Sequence, residues 1–389
     1  MNRKRPETGK ILCISLAHLF NDWYMNYIPT LLPFLVAAGM PVSKGAFLIS
    51  AFTITSSLLQ PVSGYLVDQK SQRWLVYAGT LWMAVLLSLT GVVENYALLI
   101  VVVTLAGLGT AAFHPQASAM VTAASGGRKG LYQALFITFG NLGWAITPLI
   151  VVPFTQKYGM ELTPLFALPG IFAALLLRFS APEDSSAAIR TPPPPLRTTI
   201  RPLRGVLGRV VVVVALRSLA SFGLIAFLTL YLEHKGVALL PASRLLSLML
   251  FMGALGGLVG GHLSDRIGRK PVIVGSLVLA SPLFYLFLGT SGPLSYFLLA
   301  CAGAVLPASF SVTVVVAQEA IPQNAAMAAG LMLGFAIGAG GLGVGLVGLM
   351  VEYAGIDRAL HLLIWLPLLA GLIGLGLKPD SRAIRQSTA

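Results

Sequence analysis

Apolar stretches of a recurring length dominate the pattern along the chain. Each is close to the roughly 20 residues that an α-helix needs to cross the hydrocarbon core of a bilayer. They predict spans near 11–37, 45–67, 74–93, 96–122, 131–153 and 163–179, then near 209–232, 243–264, 271–290, 293–317, 325–350 and 358–377. Six spans are followed by six. From about 180 to 208 the pattern breaks, and Pro192-Pro193-Pro194-Pro195 with several arginines reads as an extended, solvated linker. The expected architecture is an all-α membrane protein: an N-terminal six-helix bundle over 1–179, the linker over 180–208 and a C-terminal six-helix bundle over 209–389.

A repeat supports that division. Gly261-His262-Leu263-Ser264-Asp265-Arg266-Ile267-Gly268-Arg269-Lys270 lies as a loop between two apolar runs, and a worn copy, Gly64-Tyr65-Leu66-Val67-Asp68-Gln69-Lys70, sits about half a chain earlier. Such spacing points to duplication of a bundle of membrane helices, and pseudo-symmetric halves are what alternating access uses. Gly253, Gly257 and Gly261, and again Gly330, Gly334 and Gly338, recur every four residues. Small-residue ridges of this kind let helix backbones approach closely in lipid, as tight packing and as a surface on which halves can rock. Gly338-Ala339-Gly340-Gly341-Leu342-Gly343 matches the dinucleotide fingerprint as a string, but that fingerprint needs a preceding strand. Inside a span it reads as helix packing.

The chain is 56% hydrophobic and 10% charged, whereas soluble domains carry about 25% charged residues. The net charge of +13 would suit nucleic acid, but there is no basic, aromatic-studded surface stretch. The basic residues gather beside span ends instead. One side collects the N-terminal basics, Lys70, Arg73, Arg128, Lys129, the linker arginines, Arg266, Arg269 and Lys270; the other has Lys44, Lys157, Lys235, Arg244 and Arg358. By the positive-inside rule both termini and the linker are expected in the cytoplasm, with the protein in a bacterial inner membrane. Cys13 and Cys301 both fall in apolar spans, against a disulfide framework and a paired metal site. The basic N-terminus leads into an apolar run without a small-residue cleavage site, so the first span is expected to be retained. A monomer is expected.

Ionisable groups inside a span are costly and usually face a bundle interior. His18 and Asp22 stand four apart, on one helical face. His114 lies in span four and Arg217 in span seven. At about 1.5 Å rise per residue, His18, His114 and Arg217 share a depth of about 10–12 Å from the cytoplasmic face, with Asp22 nearer the midplane. For each, a structural role stands beside the functional one. Asp22 and His18 can simply pack helices together, His114 can meet a carbonyl freed by Pro115, and Arg217 can snorkel along its stem. Gln60, Gln133 and Asn141 suit helix-to-helix bonding, with Asn141 deep enough to touch a substrate.

The twelve spans and the Gly-x-Leu-x-Asp-Arg-x-Gly-Arg-Lys motif resemble the major facilitator superfamily. Ser15-Leu16-Ala17-His18-Leu19-Phe20-Asn21-Asp22, Phe113-His114-Pro115-Gln116-Ala117-Ser118 and Ala317-Gln318-Glu319 are similar to segments of its fosmidomycin-resistance branch. Members tend to have Glu after His-Pro; here Gln116 cannot titrate. The resemblance implies that spans one, four, seven and ten line a central cavity, and three of these carry an intramembrane ionisable group. It also implies a latch at the cytoplasmic side built from Asp68, Gly261, Asp265, Arg266, Gly268, Arg269 and Glu319. Asp22, His18 and His114 are the expected proton-coupling groups, and Arg217, Asn141 and Gln116 the expected substrate contacts. The implied activity is proton-coupled efflux of a small anionic, zwitterionic or amphipathic compound such as an antibiotic, with no cofactor beyond the proton gradient. Proton-coupled uptake of an organic anion uses the same groups. A membrane enzyme or receptor lacks support, since no metal pair, nucleophile elbow or extramembrane ligand domain is present.

Overall fold

The computed structural model describes residues 6–60, 62–63, 72–126, 129–181, 204–320 and 325–377, with side-chain surroundings further limited near 129–131, 204–207 and 318–335. Among these residues there is no strand. The chain divides into two compact units, Met1–Arg190 and Thr191–Ala389. The linker expected over 180–208 lies mostly outside the described residues.

In the first unit, α1 (Thr8–Met25) and α2 (Tyr27–Ala37) form one broken span. The break at Asn26 has a local cause: Pro29 lacks the N–H that would bond the Met25 carbonyl, and its ring crowds that carbonyl. Asn26 ties the break down by donating to the Trp144 carbonyl at 2.9 Å. Then come α3 (Val42–Leu58), α4 (Trp74–Ser88) with a 3-10 turn to Gly91, and α5 (Tyr96–Ala124). The Asn95 side chain caps α5 by accepting from the Leu98 N–H at 3.0 Å. Next are α6 (Lys129–Tyr158), a 3-10 segment (Met160–Phe166) and α7 (Ala167–Ser180).

The second unit runs α8 (Arg204–His234), α9 (Leu239–Ile267), α10 (Arg269–Gly289) and α11 (Gly292–Val305). A 3-10 turn at Leu306–Ser309 leads to α12 (Phe310–Ala320), followed by α13 (Ala325–Ala354), α14 (Ile356–Leu363) and α15 (Leu366–Gly374). Among the described residues, ten helical segments are long and apolar enough to cross a membrane, and Val42–Leu58 is a shorter apolar helix. With the broken α1–α2 span the architecture is that of twelve transmembrane helices.

Glycines carry the helix crossings. Gly143 of α6 lies so close to α1 that a Cβ would strike the Leu19 carbonyl, and Gly79 and Gly109 bring α4 and α5 together backbone to backbone. In the second unit the ridge differs from the sequence pattern. Gly253, Gly256 and Gly260 are the buried glycines of α9. A Cβ on Gly256 would collide with the Ala304 carbonyl, and one on Gly260 with that of Ala308. Gly257 has room, with the Pro307 carbonyl 3.9 Å from its Cβ position, and Gly261 is also at the margin, 3.3 Å from Ser311 Oγ. Steps of four drift around a helix of 3.6 residues per turn, so a straight contact line alternates three and four. Gly340 and Gly343 press on Phe222 and Leu219 of α8, so the string resembling a dinucleotide motif is indeed a packing surface. Gly334 and Gly338 are buried, and the surroundings of Gly330 lie outside the described residues.

The Gly256→Val variant is therefore expected to lose at least about 1–3 kcal/mol through overpacking, read as a lowered thermal midpoint in detergent. Gly257→Ala should stay within about 0.5 kcal/mol of wild type.

Candidate functional site

One turn of α1 separates His18 from Asp22, so both project from one face, and α5 brings His114 to meet them. His114 Nε2 lies 2.9 Å from Asp22 Oδ1 and 3.1 Å from His18 Nε2, while His18 Nε2 lies 3.3 Å from Asp22 Oδ2. His18 and Asp22 are buried. The third wall is α6: the Phe136 ring stacks on His18 at 3.8 Å between centroids, and Gly140 covers the cluster. A Cβ at Gly140 would sit 2.5 Å from His18 Cε1 and 2.6 Å from Asp22 Oδ2, so only glycine lets α6 approach this closely.

The outer nitrogens fix the state of the inner ones. His18 Nδ1 is 2.7 Å from the Phe136 carbonyl, and His114 Nδ1 is 3.2 Å from the Thr110 carbonyl. A carbonyl only accepts, so each Nδ1 carries the hydrogen and each neutral ring presents a lone pair at Nε2. Two lone pairs and a carboxylate thus face one another in a buried site. With the hydrogens so placed, a positive charge stabilises the arrangement, and a proton on either Nε2 would supply one. The three donor atoms all lie within 4.8 Å of one another, a spacing that also admits a small metal ion. The carbonyl that Pro115 leaves without its helical donor is that of Ala111, so His114 is not merely compensating for the proline.

Arg217 of α8 belongs to the second unit and is 2% exposed, so its head is enclosed by protein rather than snorkelled outward. Its guanidinium lies 4.7 Å from the Phe310 ring centroid. Its two nearest polar partners, Thr313 Oγ1 and Ser218 Oγ, are both at 3.5 Å, the weak limit of hydrogen bonding. It makes no ion pair with a described carboxylate. The other expected substrate contacts are not drawn into the triad. Gln116 is buried and accepts from the Gln72 N–H at 3.1 Å, whereas Asn141 is exposed on α6. Gln133 bonds helices as expected, donating to the Ser118 carbonyl at 2.7 Å.

The basic motif is more helical than its sequence suggests. It is not a loop: α9 continues to Ile267, Gly268 alone breaks it at φ 97°, and α10 starts at Arg269. Gly268 is required there because other residues rarely adopt that backbone. Asp265 therefore sits in the last turn of α9, not at a helix N-terminus, and its partner is Arg269 rather than Arg266. Arg269 also donates to Ser264 Oγ at 2.8 Å and reaches Glu319 of α12 at 3.4 Å. One guanidinium thus ties α9, α10 and α12 together. Gly261 lies within α9, Arg266 is exposed, and Asp68 lies outside the described residues.

Several contributors carried no signal of their own in the sequence. Phe136, Thr110, Ser218, Phe310 and Thr313 look like ordinary span residues until the helices meet. Gly140 belonged to a Gly140-Asn141-Leu142-Gly143 stretch, and its part in the site depends on which face of α6 meets α1.

Comparisons with known proteins agree with this architecture. Residues 12–344 and 210–387 match the Major Facilitator Superfamily. The chain is 33% identical to the fosmidomycin resistance protein of Escherichia coli (strain K12), over 98% of this chain and 95% of that one. It is 31% identical to the MFS-type transporter YfnC of Bacillus subtilis (strain 168), covering 96% and 93%. A probable sulfoacetate transporter, SauU of Cupriavidus necator, is 25% identical over 66% of this chain and 64% of its own. In fold, the chain resembles a bacterial homolog of the human lysosomal transporter Spinster, with a TM-score of 0.79, 14% identity and coverage of 94% and 96%. The nucleoside transporter NupG follows at TM-score 0.78, 14% identity and coverage of 94% and 98%. With the family model matching most of the chain and a relative 33% identical over nearly all of it, this chain belongs to the Major Facilitator Superfamily of transporters.

Proposed function

We propose that the protein is a proton-coupled secondary active exporter of a small anionic, zwitterionic or amphipathic compound such as an antibiotic. The observation that carries this reading is the His18–Asp22–His114 triangle. Its two inward lone pairs and its carboxylate make one site that gains or loses a proton as a unit, buried on two helices of the first unit. Proton binding there changes the charge of the site by one, and in a low-dielectric interior that is a large change in the energy of a conformation. This gives a proton gradient purchase on alternating access.

On the substrate side, Arg217 is a buried cation whose charge no described carboxylate meets. Its fork is free for a bidentate oxyanion, with the Phe310 ring beneath fixing the guanidinium plane. The names of the Escherichia coli and Cupriavidus relatives support a small compound, in one case an anion, as cargo. The direction follows the resistance relative: substrate outward, protons inward, with both termini in the cytoplasm of a bacterial inner membrane. The Asp265–Arg269–Glu319 contacts then lie on the cytoplasmic side, where they hold three helix ends together in one state of the cycle.

Proteoliposomes with an imposed pH gradient test the reading, with fosmidomycin as the probe. Asp22→Asn is expected to abolish gradient-driven accumulation while leaving counterflow exchange measurable. Accumulation by Asp22→Asn at the wild-type level would send the proton elsewhere. A rate that follows added zinc rather than pH would make the triangle a metal site instead. For Arg217, the expected outcome is a graded loss of anion affinity. Arg217→Lys keeps the charge but loses the fork, and Arg217→Gln loses both. The second should weaken anionic ligands by about 10–100-fold, the worth of charged hydrogen bonds, and neutral ones far less. Equal binding of anions by wild type and Arg217→Gln would mean that the arginine is structural.

A further inference from the structure

Three donor groups converge at the triangle, and a proton bridges two of them. A proton held between His114 Nε2 and Asp22 leaves the lone pair of His18 Nε2 still facing both. A metal ion takes all three at once. Among the described residues, this is the one group of three such side chains whose donor atoms come together.

The distances suit such an ion. Zinc bonds imidazole nitrogen and carboxylate oxygen at about 2.0–2.2 Å, so neighbouring donors around it stand about 2.8–3.6 Å apart across its usual geometries. Here the two Nε2 atoms are 3.1 Å apart. The carboxylate turns Oδ1 to His114 at 2.9 Å and Oδ2 to His18 at 3.3 Å, so it can bind through one oxygen or both. Each imidazole is also held from behind: the Phe136 carbonyl faces His18 Nδ1 at 2.7 Å and the Thr110 carbonyl faces His114 Nδ1 at 3.2 Å. Backing of this kind fixes the rings of metal-binding histidines with Nε2 pointing inward. On the α6 side Gly140 leaves the donors uncrowded, since a Cβ there would stand 2.8 Å from His18 Nε2 and 2.6 Å from Asp22 Oδ2. The way in is past His114, whose side chain is 19% exposed against 6% for His18, and a water completes the coordination from that side.

We propose that His18, Asp22 and His114 form a binding site for a divalent transition metal of the zinc class, which clamps α1 to α5. Two imidazoles and a carboxylate favour zinc over magnesium and calcium, which take oxygen ligands. The binding stands on the donor geometry. Its consequence rests on the proton-coupled reading above: a metal on these lone pairs excludes the coupling proton, so zinc arrests transport.

The test is calorimetric titration of the full chain in lipid nanodiscs with zinc, and with magnesium as control, followed by X-ray absorption at the zinc edge. Wild type is expected to take up one zinc per chain, at least about 100-fold more tightly than magnesium, with two imidazoles in the first shell. Asp22→Asn and His114→Gln each remove a ligand and should weaken zinc by at least about 100-fold, the upper end of what losing a mere supporting partner costs. His234→Gln, which alters the exposed His234–Asp357 pair, should bind as wild type does. Zinc bound no better than magnesium overturns the proposal, as does a spectrum with fewer than two imidazoles; neither result depends on a variant folding. Unchanged affinity in Asp22→Asn and His114→Gln, or affinity lost in His234→Gln, overturns it equally by placing the ion elsewhere. Fosmidomycin transport in proteoliposomes at buffered free zinc separates the two readings. Arrest by zinc and recovery with a chelator are expected. Zinc held by the triangle while gradient-driven transport continues supports the metal site and defeats the placing of the coupling proton there. Gradient-driven transport by a protein that binds no zinc defeats this proposal alone.

Discussion

A buried carboxylate beside two imidazoles has to be met by positive charge, and much of the first unit is arranged around that demand. Burial strips most of the water from Asp22, so a compensating positive charge shared with His18 and His114 is strongly favoured. Sharing requires three groups from two helices to be held within about hydrogen-bond reach. That in turn requires α6 to close the site from the third side. The glycines at 140 and 143 make this possible, because a side chain at either would meet α1 first. The break at Asn26, anchored on the Trp144 carbonyl, adds a second tie between the first span and α6 above the site.

The second unit meets the same constraint in another way. Arg217 is surrounded by a ring face and two hydroxyls at long range instead of a carboxylate. An aromatic face and weak hydroxyl contacts make the burial tolerable without neutralising the charge. One unit thus holds a site that is complete only with a cation, and the other a cation that is complete only with an anion. Each is the position that the proposed exchange of protons for an anionic compound would use.

At the motif, a single residue concentrates the connections between helix ends. Arg269 begins α10, faces Asp265 and Ser264 on the end of α9, and reaches Glu319 on α12. The left-handed Gly268 between the two helices turns the chain sharply enough for the guanidinium to fold back over the helix it has just left. Because these contacts are partly exposed, each is weak alone; their effect lies in the sharing of one guanidinium among three elements.

The number of spans and the placement of His18, Asp22, His114 and Arg217 within them were legible from the chain itself. Hydropathy and the cost of charge in lipid act residue by residue, so a linear reading captures them. The four-residue spacing of His18 and Asp22 already put them on one face. What only the tertiary structure decided was which groups meet. It brought His114 into the triangle, left Gln116 with Gln72, and chose Arg269 over Arg266 as the partner of Asp265. It also moved the packing ridge of α9 from Gly257 and Gly261 to Gly256 and Gly260. These outcomes depend on the rotation of each helix about its own axis and on the direction of carbonyls and hydroxyls on its neighbours. A rotation by one residue carries a side chain through about 100°, which no composition or spacing of a single helix specifies. The carbonyls of Phe136 and Thr110 that face the two histidine Nδ1 atoms belong to the same class, since they lie on another helix and on another turn.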